Sequence, residues 1–389
     1  MTSSGSAVGP PGDDEVLVAR IRDEIAAQGP ITFARFMERA LYEPGHGYYR
    51  RETAGPGMAG ADFLTAPEAH PIFGAAIGRL AEQAWDAMGR PASFTLVEPG
   101  AGSGALAAGM LDALRSLAPP LFEAIRYRPI EVEPARLDSL RARLHELALD
   151  DRLAPAASAP GDGMLVANEV VDALPVHRVI GRPAGLRELL VTIAGDRLAW
   201  HEAEPTTPQL QRALDDEGVT LGDGQVTEVC LAMRPWLQDA VRAIDRGLVV
   251  IVDYAAEPGE LHGTARPDGT LRTFADHAVG GDPFRDIGRR DLTATVDLAA
   301  LRAAAAAAGL APAGETTQAE LLARAGTSDL TDTYLRRPGA TLQDALHLRS
   351  ALARLLDPRG MGGFRVLAFA RGLDPVPRLP LLDHVGPRR

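Results

Sequence analysis

The sequence predicts a doubly wound α/β fold, and three observations carry that expectation. Short apolar runs alternate with helix-patterned stretches from Phe94 onward, the first run ends in a glycine-rich turn, and the segment before it repeats apolar residues at helical spacing. The runs are FTLVE from Phe94, YRPIEV from Tyr127, GMLVANEV from Gly163 and GLVVIVDYA from Gly247. Alternation of this kind is the pattern of a parallel sheet with crossover helices.

Taken in order, residues 1–14 read as a disordered tail. MTSSGSAVGPPG is small, polar and proline-bearing, with neither an apolar core nor arginines, unlike a signal or transit peptide. Residues 15–92 form an expected helical appendage: Val16, Ala19, Ile21 and Ile25 recur at helical spacing, and Ile31–Leu41 and His70–Met88 repeat the theme. Between them, Leu41–Glu68 is rich in glycine, proline and aromatics and too long for a simple connection, which marks a functional loop. The core is expected over 93–375, with insertions at about 178–230 and 256–296. Arg178–His201 reads as a β-hairpin turning at Gly195-Asp196, inserted after the fourth core strand. A helix runs from Asp297 through the alanines 303–308 to a cap at Gly309. A helix near Leu342–Leu356, a turn at Gly360–Gly363 and the run FRVLAFA close the core, leaving 376–389 as a tail.

Composition narrows the function. The chain has 389 residues, and its 40 basic residues are all arginine. A net charge of −12 offers no basic field for a nucleic-acid backbone, so a basic protein surface is the easier macromolecular partner. The single cysteine, Cys230, excludes an intrachain disulfide framework and a cysteine zinc site, and no metal site is expected. No stretch approaches the roughly 20 apolar residues that span a bilayer, which predicts a cytoplasmic protein. The oligomeric state stays open, a homodimer included.

Glycines at 100, 102 and 104, with Ala101 and Ser103 between them, follow a strand ending in Glu98 and open a helix. Such a loop lets a ligand approach bare backbone. GAGSGA also satisfies the dinucleotide pattern, but Glu131, the next acidic strand end, lies 31 residues past Gly100, whereas that fold places its ribose carboxylate about 20 residues on. The spacing favours a methyl donor, S-adenosyl-L-methionine, over a dinucleotide; a ligand-free turn is the third reading. Glu98 is placed for the donor's cationic amino group and Glu131 for vicinal ribose hydroxyls, with Glu133 as the fallback. The alternative for Glu131 is a solvated carboxylate opening the next helix.

NEVVDALPVH puts Asn168 and Glu169 just past an apolar run, with Asp172 and His177 close behind. Open α/β sheets bind ligands at such strand ends. An amide and a carboxylate there can orient a nucleophile, accept its proton or grip a guanidinium bidentately, or merely cap the neighbouring loop.

With both strand ends in hand, the chain resembles the MidA-like family of S-adenosylmethionine-dependent methyltransferases. The resemblance rests on FMxxALYxPxxGYY at Phe36–Tyr49, GxDFxTAPE at Gly60–Glu68, the glycine loop, ANExxDALPVH at Ala167–His177, VDY at Val252–Tyr254, and PDGTL…H…DPF…G…DLTATVD from Pro267 to Asp297. It implies a seven-stranded Rossmann-like core with an N-terminal appendage, and donor contacts from Gly100, Gly102, Gly104 and Glu131. It also implies a role for Asp62–Thr65 beside the donor, and a substrate entrance bordered by Tyr42, His46, Tyr48 and Tyr49, although these aromatics could equally anchor the appendage. A mitochondrial relative methylates protein arginine, which carries over as Glu169 binding the guanidinium, Asn168 supporting it and Asp172 as a second carboxylate. The chain departs from the family at Val170-Val171, where aromatics are usual, and at Ala255 and Ser103-Gly104-Ala105. The rival readings are a small-molecule N- or O-methyltransferase, which the valine pair favours, and an assembly factor with a structural cofactor site.

Overall fold

A computed structural model describes residues 12–51, 64–155, 158–275 and 278–383. The chain forms two compact units: Met1–Phe63, Pro175–Leu231 and His262–Ala294 in one, and Leu64–Leu174, Ala232–Leu261 and Thr295–Arg389 in the other.

The second unit carries the parallel sheet. Its strands are β1 (Phe94–Pro99), β2 (Ile125–Ile130), β3 (Asp162–Asn168), β4 (Arg246–Asp253), β5 (Ala311–Thr317) and β6 (Arg365–Arg371), in the spatial order β5-β6-β4-β3-β1-β2. The first four run parallel, while β6 lies antiparallel to β4 and β5 antiparallel to β6. Every residue of β1 is buried, as the run FTLVEP requires of a central strand covered on both faces. Helices Ile72–Ala87 and Ala105–Leu117 join it in one apolar core through Phe73, Ile77, Leu80, Leu106, Met110 and Leu114.

The chain leaves β1 toward β2 on one side and returns to β3 on the other, so the strand order reverses between the ends of β1 and β3. That reversal opens a crevice at the carboxyl ends of the strands, where such sheets bind ligands.

In the first unit, helices Glu15–Gln28 and Phe33–Tyr42 begin at Asp14 and Thr32, whose side chains accept from the N–H groups of Leu17 and Arg35. They accompany a five-stranded antiparallel sheet built from Ile31–Thr32, His177–Arg182, Gly185–Ala194, Arg197–Ala203 and Val226–Val229. The hairpin at Gly195-Asp196 is present, with Ala194 paired to Arg197. Arg272–Ala275, Ala278–Gly280 and Asp291–Thr293 make a small separate sheet.

Several expectations change. The core sheet holds six strands among the described residues rather than seven. The hairpin follows the third core strand, not the fourth, and belongs to a larger sheet. Residues 64–92 pack with the parallel-sheet unit instead of an appendage, because the Ile72–Ala87 helix buries one apolar face after another from Ile72 to Trp85. The last residues are no loose tail as far as 383: Leu379, Leu381 and Leu382 are buried in the same core. The alanine helix spans Leu298–Ala307, with Asp297 accepting at its start, and Leu342–Leu355 begins at a capping box of Thr341 and Asp344. The expectation of a disordered start falls on residues 1–11, outside the described residues.

Candidate donor and acceptor site

The glycine loop, leaving β1, is fastened to the end of β2 by the Gly100 N–H, which donates to the Ile130 carbonyl at 2.8 Å; the N–H of buried Ala101 reaches the same oxygen at 3.4 Å. Gly100, Gly102 and Gly104 have φ of 68, 52 and 76°, the left-handed region that an L side chain resists. Their surroundings differ. A Cβ on Gly100 would stand 2.8 Å from a methyl of Val170, and one on Gly104 would stand 2.7 Å from Leu140. Among the described residues a Cβ on Gly102 would meet only the Gly100 carbonyl, at 3.9 Å, so of the three glycines this one has the open side.

Glu131, partly buried at the end of β2, turns onto this loop. Its Oε2 accepts the Gly102 N–H at 2.9 Å and its Oε1 the Val132 N–H at 2.8 Å. The fallback Glu133 instead sits at the N-cap of helix Pro134–Glu146, accepting from Ala135 at 3.5 Å. Glu98 does not project into the crevice as a bare anion: it is 4 % exposed and accepts the Tyr127 hydroxyl at 2.7 Å. Burial, with the Glu131 charge adding to it and the Tyr127 bond opposing it, pushes this carboxyl up to about 8.

At the end of β3, Asn168 pairs in register with Val252 of β4. Its Nδ2 donates to Glu169 Oε1 at 3.0 Å, and its Oδ1 is buried with no hydrogen-bond partner among the described residues. Glu169 has φ 51°, a strained conformation for a residue with a side chain. The same Oε1 accepts the Ala66 N–H at 3.2 Å, at the first residue of the short helix Ala66–Ala69. Thr65, 8 % exposed, precedes that helix, while Asp62 lies outside the described residues. Burial and the Asp172 charge push the Glu169 carboxyl up to about 7.

Asp172 is buried as well. Burial raises it to about 6, with the Tyr254 hydroxyl and the amides of 173 and 172 opposing. Beside it, Asp253 accepts the N–H groups of Val171 and Asp172 at 3.0 and 3.2 Å. Burial and the charges of Asp172 and Glu169 lift Asp253 well above the usual carboxylate range. Three mutually repelling acids thus gather at the ends of β3 and β4. The short helix is also tied to the glycine loop, because Ser103 Oγ donates to Glu68, which Arg143 approaches at 3.6 Å.

Glu98, Glu131, the glycine loop, Thr65, Asn168, Glu169 and Asp172 therefore all lie in the parallel-sheet unit. Tyr42, His46, Tyr48 and Tyr49 lie in the other unit and cluster there. Tyr42 stacks on Tyr49 at 5.6 Å, Tyr48 meets Tyr49 edge-on at 5.1 Å, the Tyr49 hydroxyl donates to Asp291 at 2.8 Å, and His46 pairs with Asp14 at 3.0 Å. These contacts all lie within that unit. His177 bonds the fully buried Glu188 at 2.7 Å and His262 bonds Thr227 at 2.8 Å in that same unit, and His277 lies outside the described residues. Sequence reasoning missed Glu68, Tyr127 and Asp253 as parts of the site; the available signal for Asp253 was an acid closing the apolar run GLVVIV.

The donor set suits S-adenosyl-L-methionine. Among the described residues Gly102 leaves room against the backbone, Glu131 offers a carboxylate at the loop, and the buried Asn168 Oδ1 lacks a donor. The model of an S-adenosyl-L-methionine-dependent methyltransferase family matches residues 76–316, which sets the class: the chain is an S-adenosylmethionine-dependent methyltransferase. It is similar over 94 % of both chains, with a TM-score of 0.82 and 33 % identity, to a superfamily member from Burkholderia thailandensis crystallised with S-adenosyl-homocysteine. It is 28 % identical to the Drosophila melanogaster protein arginine methyltransferase NDUFAF7 homolog, mitochondrial, over 92 % of this chain and 85 % of that one. To the Danio rerio protein arginine methyltransferase NDUFAF7, mitochondrial, it is 29 % identical over 74 % and 71 %. The chain belongs to the MidA-like family of S-adenosylmethionine-dependent methyltransferases. The cytoplasmic placement expected from composition finds no support in these relatives, whose names are mitochondrial. No helix among the described residues is long and apolar enough to cross a membrane.

Proposed function

We propose that the chain methylates a protein arginine, with Glu169 gripping the guanidinium. The observation that carries this is the Glu169 carboxyl itself, held in a strained turn beside Asn168 at the switch point. A carboxylate takes a guanidinium bidentately, and the positive charge of that group would draw Glu169 into its ionised form. Asn168 steadies the Glu169 carboxyl through its amide, and Asp172 supplies a second acid for the proton that the nitrogen gives up. When bound, S-adenosylmethionine supplies a sulfonium methyl group; Gly100, Ala101, Gly102, Gly104 and Glu131 would hold it, with Thr65 on its flank. The relatives named protein arginine methyltransferases support the acceptor. Methyl transfer asks mainly for in-line placement, so positioning outweighs acid–base strength.

The test is S-adenosylhomocysteine formation on candidate proteins, with mass analysis of modified arginines. Methylarginine formed by the wild-type chain and lost in Glu169→Ala supports the reading. Turnover confined to a small metabolite sinks it in favour of a small-molecule acceptor, the reading that Val170 favours by placing a short side chain against Gly100.

A further inference from the structure

The turn after β3 holds the carboxyls proposed to meet the acceptor, yet VVD at 170–172 contains no glycine or proline to set its shape. Glu169 at φ 51° persists only where its surroundings over-determine it. One tether is the Glu169 N–H, which donates to the Val252 carbonyl at 2.8 Å. The Glu169 carboxyl is held by the Ala66 N–H and the Asn168 amide, and two further tethers of the turn converge on a single side chain at the end of β4. Asp253 Oδ2 accepts from the N–H groups of Val171 and Asp172, and its Oδ1 accepts from Tyr254 at 2.9 Å. Asp253 is 2 % exposed, so water does not compete for these bonds.

We propose that Asp253 is the positioning residue of the acceptor-side turn, holding Glu169 and Asp172 in place through the amides of 171 and 172. The proposal rests on Glu169 as the acceptor-binding group but is read out separately. A strand-end acid that served only the fold would bond its own strand or a following helix. Two of the three amides that Asp253 binds belong instead to a segment some 80 positions earlier in the chain. The charges of Asp172 and Glu169 in turn raise Asp253, so the three carboxyls titrate as a linked set.

The experiment uses the full chain with Asp253→Asn, which keeps one acceptor oxygen, and Asp253→Ala, which keeps none. Hydrogen exchange is followed at the amides of 170–174, and S-adenosylhomocysteine binding by calorimetry. Methyl transfer to an arginine-containing peptide is measured across pH. Exchange at Val171 and Asp172 is expected to quicken by about tenfold or more in Asp253→Ala and by less in Asp253→Asn. S-adenosylhomocysteine affinity should stay within about twofold, while kcat falls about tenfold or more and the pH profile changes shape as the linked set of three carboxyls becomes two. Unchanged exchange at 171 and 172 overturns the proposal. So does loss of S-adenosylhomocysteine binding in parallel with faster exchange throughout, which would make Asp253 a general folding residue. If the wild-type chain methylates no arginine, the acceptor reading fails while exchange and calorimetry still decide the role of Asp253.

Discussion

Glu98 accepts the Tyr127 hydroxyl at 2.7 Å with both side chains buried, one at the end of β1 and the other on the neighbouring strand β2. Glu98 lies just before the glycine loop, and the pair makes the stability of the parallel-sheet unit sensitive to pH. Glu98 has an ordinary value of 4.5 and is raised to about 8 in the fold. Between those values the folded chain binds a proton that the unfolded chain releases, so this group's contribution to stability is present below about 4.5 and is lost as pH rises through about 8. Glu98→Gln keeps an oxygen for Tyr127 and removes the titration. Unfolding in urea at a series of pH values should show a shallower decline from pH 5 to 8 in this variant than in the wild type. Tyr127→Phe removes the donor and should cost about 1–3 kcal/mol.

The three glycines of the loop separate by what surrounds them. All are left-handed, so alanine at any of them costs about 1 kcal/mol in backbone strain. Gly102→Ala adds a methyl group to open space and should therefore fold nearly normally while losing S-adenosylmethionine affinity by about tenfold or more. Gly100→Ala also drives a methyl into Val170 and should lose a further 1–3 kcal/mol or so of stability. Calorimetry and thermal unfolding on the two variants check this. Full donor affinity in Gly102→Ala would remove the loop as the donor cradle.

The contrast between these glycines shows how far the sequence could be read. Strand ends and the loop were legible because apolar runs and glycine punctuation are local patterns, and the fold brings Glu131 onto the loop through the Gly102 N–H. The sheet edge was not: β5, APAGETT, carries alanine, proline and glycine and becomes a strand only by pairing with β6. The first unit gathers three separate stretches of chain, and no period within one stretch announces its partners in another. Glu98 looked like a free strand-end acid because the phenol that satisfies it comes from 29 positions later. Asp253 was passed over for the same reason, since its bonds to 171 and 172 leave no mark on its neighbours in sequence.

Glu131 and Glu133 can be told apart. Glu131→Ala leaves the Gly102 amide without its acceptor and removes the carboxylate proposed for the ribose, so S-adenosylhomocysteine affinity should fall about 10- to 100-fold. Glu133→Ala removes a helix cap, costing about 1 kcal/mol of stability, and should leave that affinity within about twofold. Calorimetry of both variants against the wild type decides between them. Equal affinity in Glu131→Ala would return that residue to the role of a solvated helix-opening acid.

Glu169 joins strain to function, so alanine and glycine at that position should diverge in stability while agreeing in activity. Either change removes the bonds from Ala66 and Asn168 and the carboxylate proposed for the guanidinium. Only alanine keeps a Cβ at φ 51°, which makes Glu169→Gly the more stable variant by about 1 kcal/mol. Both should lower kcat/KM for an arginine-containing peptide by about 100-fold or more, with S-adenosylmethionine affinity little changed. In the wild type the carboxyl stands near 7 before the acceptor binds, and the ionised form is the one that pairs with a cation. The kcat/KM profile should therefore rise with pH through about 7, as a limb shared with Asp172 and Asp253 because their charges are coupled. A flat profile from pH 6 to 8, or equal stability of the two variants, would separate Glu169 from the role its geometry gives it.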